Sequence, residues 1–131
     1  MTHQNCPSLA CAILRGTLVL PQLGGRIRLY RRPDGVLVKL YASGLRAEKN
    51  SPELFLQILT PQKKTLFRHS ISGLHSASAY LSVFSDSFSI YEALESTAEI
   101  AAGEKTVLAS GIIRGIEGAA SEYDTNDTLI I

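Results

Sequence analysis

The chain has 131 residues, 45% of them hydrophobic and 19% charged, with a formal net charge of +1. This is one domain's worth of sequence, with enough apolar content for its own core and too little bias for a disordered or fibrous chain. No apolar run approaches the ~20 residues of a membrane-spanning helix. Met1 to Cys6 lacks the basic patch and apolar stretch of a secretion signal. The expectation is therefore a cytoplasmic protein without a membrane partner, with Cys6 and Cys11 as reduced thiols.

Taken in order, Ser8 to Leu14 is small and apolar and stops at Gly16, which predicts a first strand. Leu18 to Gln22 reads as a short extended link before Gly24-Gly25. Arg26 to Arg32 alternates, with Ile27 and Leu29 on one face and Arg26, Arg28, Tyr30 and Arg32 on the other. Arg32-Pro33-Asp34-Gly35 is a turn: proline presets the bend and Gly35 is expected to take a left-handed conformation. The strand that follows turns Val36, Val38, Leu40 and Ala42 inward, so residues 26–42 form a hairpin.

The run Leu54 to Thr60 is apolar on both faces, apart from Gln57, and is expected to lie centrally. Pro61 to Lys64 is a tight polar connection, and Thr65 to Ser72 is another extended piece. Ala77 to Ser85 sets Tyr80 and Phe84 against Leu81 and Val83. Ser89 and Glu92 have capping-box spacing within the one helical stretch, Ser87 to Leu94. Thr97 to Ala102 and Val107 to Ile113 complete about eight strands. That pattern predicts an all-β barrel or sandwich over residues 1–115. Residues 116–131 form an acidic, unpatterned tail ending in Leu129-Ile130-Ile131.

Charge is uneven along the chain. Residues 1–68 carry eleven Lys and Arg against three acids, and residues 69–131 carry two against nine. Folding is expected to interleave the halves; if it did not, the surface would be bipolar and suited to self-association or a partner. The Arg26, Arg28, Arg32 and Tyr30 face has the composition of a nucleic-acid platform. The balanced net charge favours a simpler role, a solvated edge whose cations discourage sheet-to-sheet pairing, and so no nucleic-acid partner.

Four blocks then fall in a suggestive order: Ala12 to Gly16, Ala42 to Leu45, Ser78 to Ile90, and Ala109 to Ile113. Together they resemble the copper–zinc superoxide dismutase family, above all its small bacterial members, over residues 8–113. The resemblance implies an eight-stranded Greek-key barrel with shortened loops. It also implies that the metal chemistry is missing. Gln57 and Leu59 stand where the family's central strand carries two copper histidines. Ala101 stands at the later copper histidine, and Ser110 at a disulfide cysteine. Only Pro61 to Ala77 remains where the family has its zinc loop.

Copper and zinc sites need several imidazole, carboxylate or thiolate ligands at once, which amide and alkyl side chains do not replace. The chain has three histidines, His3, His69 and His75. The expectation is a degenerate, metal-free, non-enzymatic member of the family, with no cofactor, acting by association with itself or a protein partner. Two alternatives stay open. One is a divergent metalloprotein using His69, His75 and carboxylates such as Asp86 or Glu99. The other is a copper-delivery partner of an active dismutase, with Cys6 and Cys11 as its metal handles.

Overall fold

A computed structural model describes residues 8–44, 53–71, 78–103 and 106–116. They form β1 (Leu9–Gly16), β2 (Gly24–Arg32), β3 (Gly35–Ser43), β4 (Leu54–Leu59), β5 (Thr65–Ile71), β6 (Ser78–Ser85), α1 (Ile90–Ala93), β7 (Thr97–Ala102), β8 (Thr106–Ile112) and β9 (Arg114–Ile116). Eight strands pair in the order β5-β4-β7-β8-β1-β2-β3-β6, and β9 adds to β1. All these pairings are antiparallel.

The topology is a Greek key. β3 pairs with β6 instead of its successor β4, and β4 pairs with β7. Strands β5 and β6 are the two ends of the path, and the sheet curls until they approach. There the Ser87 hydroxyl donates to the Leu66 carbonyl at 3.1 Å. The result is a nearly closed barrel, as the strand count and alternation predict.

Alternation builds the interior. Ile27 and Leu29 of β2 meet Val36, Val38 and Leu40 of β3, all at most 1% exposed, with Leu56, Ile58 and Ile100 across the barrel. Burying each of these side chains contributes about 1.5–3 kcal/mol. α1 closes one end with Ile90 and Ala93. Its N-terminus carries the expected capping box: Ser89 accepts from the Glu92 amide, and the Glu92 carboxylate accepts from the Ser89 amide.

Several local expectations are corrected. Leu18 to Gln22 is a pair of consecutive turns, with the Leu20 amide on the Thr17 carbonyl and the Leu23 amide on the Leu20 carbonyl. Gly35 does not adopt a positive φ. It is glycine because the Ser85 carbonyl of β6 occupies the space a Cβ would take. β9, too short to show periodicity in the sequence, pairs Ile116 with Leu9. Leu129 to Ile131 and the rest of the tail lie outside the described residues. Among the described residues no helix is long and apolar enough to cross a membrane, which says nothing about strands.

β2 is also not an edge. It runs between β1 and β3 along most of its length. Tyr30, expected in solvent, is only 3% exposed, with Arg32 and Lys39 stacked over its ring. The strand order interleaves the two halves as expected, with β7 and β8 between β4 and β1 and with β6 beside β3, while the basic strands β1, β2 and β3 stay adjacent. Neither these strands nor β6 contains an acidic residue.

Candidate functional site

On β4 the inward residues are Leu54, Leu56 and Ile58, which leaves Phe55, Gln57 and Leu59 on the outward face. The registers extend that face sideways. Gln57 lies opposite Arg68 of β5 and Glu99 of β7. Glu99 lies opposite Ser110 of β8, and Ser110 opposite Arg15 of β1. A single polar row, Arg68–Gln57–Glu99–Ser110–Arg15, therefore crosses five strands.

Its first three members are hydrogen-bonded. The Gln57 Nε2 donates to Glu99 Oε1 at 2.9 Å, and Gln57 Oε1 accepts from Arg68 Nη1 at 3.1 Å. The amide dipole lies between a cation and an anion with each end matched in sign. Arg68 is held from two further directions: its Nη2 donates to the Gly103 carbonyl at 3.1 Å, and its guanidinium lies 4.0 Å from the centre of the Phe55 ring. Beneath this cover Gln57 is 7% exposed, with both ends of its amide satisfied.

The positions singled out by the dismutase resemblance fall together. Gln57 and Leu59 share the outward face of β4. Ala101, opposite Phe55 on β7, has the same face and is 1% exposed without belonging to the interior cluster. Leu59 and Ala101 lie on the outside of the sheet, and Leu59 is only half-buried. A residue two along from Gln57 must share its face, so outward Gln57 carries Leu59 outward with it.

Among the described residues the alternative ligands are not gathered. His69 lies opposite Leu56, on the face of β5 away from Glu99, where it stacks on Phe67. Its Nδ1 is 2.8 Å from the Ser70 carbonyl. Asp86 follows β6 and borders an open groove of about 460 Å³ together with Arg31, Asp34 and Glu92. Among the described residues no three His, Cys, Asp or Glu side chains converge as a metal site. His3, His75 and Cys6 lie outside the described residues. Cys11 has a free, half-buried thiol on β1.

Arg68 is the residue that sequence reasoning missed. It lies within the extended piece Thr65 to Ser72, and nothing local pairs it with a residue eleven positions earlier. A scan against protein-family models finds no matching family, and a comparison with curated proteins finds no match.

Proposed function

We propose that this chain is a non-catalytic, superoxide-dismutase-like barrel without copper or zinc, which works by association with a second copy or a partner protein. The observation that carries the reading is the Arg68–Gln57–Glu99 relay. Where the resemblance expects a copper-binding imidazole, an amide is locked between two charged neighbours. Leu59 and Ala101, on the same face, offer no lone pair. The Greek-key order of the eight strands is consistent with the resemblance.

The test is metal analysis of protein purified from cells supplied with copper and zinc, together with a dismutation assay and light scattering after size exclusion. The reading expects no stoichiometric metal, no dismutation, and a dimer or a copurifying protein. Stoichiometric metal with activity would overturn the non-catalytic part. A strict monomer without a partner would overturn the association part.

A further inference from the structure

The face of the barrel made by β1, β2, β3 and β6 has a composition unlike the rest of the molecule. Its registers align Ile13 opposite Arg26, Arg26 opposite Tyr41, and Tyr41 opposite Tyr80, one outward row across four strands. Ile13, Tyr41 and Tyr80 are 64%, 43% and 56% exposed. Lys39 stands two residues from Tyr41 on the same face. Phe84, four residues along β6 from Tyr80, is 50% exposed, and strand geometry sets the two rings ~13 Å apart.

Exposed rings of this size on a sheet face flanked by Arg and Lys, with no Asp or Glu on any of the four strands, call for a particular partner. An acidic peptide would match the charge and leave the rings without a stacking partner. A second copy presenting the same face would set cations against cations. A single-stranded polynucleotide matches both features: its phosphates meet Arg26 and Lys39, and its bases stack on the tyrosines and Phe84. The balanced net charge of the whole chain does not oppose this, because β1, β2 and β3 concentrate cations locally.

We propose that the outward face of β1, β2, β3 and β6 is a binding platform for single-stranded nucleic acid, with Tyr41, Tyr80 and Phe84 as stacking residues and Arg26 and Lys39 as phosphate contacts. The platform meets the Gln57 row only at β1, where Arg15 ends that row, and it goes beyond the association reading, which names a protein partner. Recognition is by backbone charge and ring stacking, so it discriminates single strands from duplex more than one base sequence from another.

The experiment uses the full chain and fluorescein-labelled oligo(dT), oligo(U) and a duplex of equal length, titrated by anisotropy at low and physiological salt. Single strands are expected to bind better than the duplex, and more weakly as salt rises. The double variant Tyr41→Ala/Tyr80→Ala is expected to bind about 10-fold or more weakly. The Tyr41→Phe/Tyr80→Phe variant, which keeps both rings, retains binding. Arg26→Glu/Lys39→Glu abolishes it, and Tyr91→Ala, on α1 and outside the four strands, leaves it unchanged. Urea melts of each variant separate loss of binding from loss of fold.

Absence of oligonucleotide binding by wild type at about 100 µM protein in low salt overturns the proposal. So does binding that heparin displaces and the double alanine variant retains, which marks a merely ionic surface. Tighter binding of a polyglutamate peptide through the same two tyrosines overturns it in favour of an acidic protein. None of these outcomes depends on metal content, so the metal-free reading is tested separately.

Discussion

The Gln57 amide and the Glu99 carboxylate are joined at 2.9 Å across the β4–β7 pair, 42 residues apart in the chain. On the other side of Gln57, Arg68 donates to the same amide. A neutral residue therefore bridges a cation and an anion on the outward face of the sheet. Gln57→Ala removes both bonds and leaves two charged groups facing a gap. The expected cost is about 1–3 kcal/mol, read as a lower urea midpoint with unchanged m-value. A midpoint equal to wild type would show that the relay adds nothing to stability.

The shared face of Gln57, Leu59 and Ala101 makes a second prediction. If the resemblance aligns these positions correctly, the triple variant Gln57→His/Leu59→His/Ala101→His places three imidazoles on neighbouring strands of one face. It is expected to bind Cu(II), which prefers imidazole nitrogen, whereas wild type does not. Electron paramagnetic resonance reads nitrogen coordination directly. A triple variant with no more bound copper than wild type would show that the alignment misplaces the site.

Two glycines should respond oppositely to alanine. A Cβ on Gly111 of β8 runs into the Ile13 carbonyl of β1, where the barrel path joins its two halves. Gly111→Ala is expected to cost about 1–3 kcal/mol through forced backbone displacement. Gly24 at the start of β2 has only the Leu14 carbonyl at 3.9 Å from its Cβ position. There Gly24→Ala should stabilise by about 0.4–1 kcal/mol, by restricting the unfolded chain. Thermal melts of the two variants should shift in opposite directions.

The capping box at α1 offers a local check. Ser89→Ala removes the acceptor for the Glu92 amide and should cost about 1 kcal/mol. Ser89→Asp keeps an acceptor at the N-cap and should cost far less. Chemical denaturation of the pair distinguishes a capping loss from a general surface effect, in which both variants would fall together.

Much of the fold was legible in the sequence because its signals are local. Alternation at Arg26 to Ala42 marked both strands of the β2–β3 hairpin, and Pro33-Asp34 marked the turn between them. Ser89 and Glu92 announced the helix start by their spacing alone. The short β9 escaped because three residues cannot show a period. Gly35 was read as a turn glycine because the β6 carbonyl that requires a glycine there lies fifty residues away in the chain.

The candidate site was legible only as an anomaly. Gln57 was visibly out of place in an apolar strand, yet its meaning depends on Arg68 and Glu99, which register alone brings beside it. Tyr30 misled in the opposite direction. Its alternation with Arg28 and Arg32 assigned it correctly to the outward face, and the face proved covered there. Two exposed rings, Tyr41 and Tyr80, are separated in chain order and joined by the β3–β6 pairing.

Periodicity in this chain determined which residues share a face, where the hairpin turns, and that the strands are short enough to close into a barrel. The tertiary structure decided which strands are neighbours. That choice set Gln57 between opposite charges, placed β2 inside the sheet, and gathered the basic strands with Tyr41 and Tyr80 on one side. The reason is physical: side-chain alternation is a property of a single strand, whereas pairing is settled by how all the strands together bury their apolar faces.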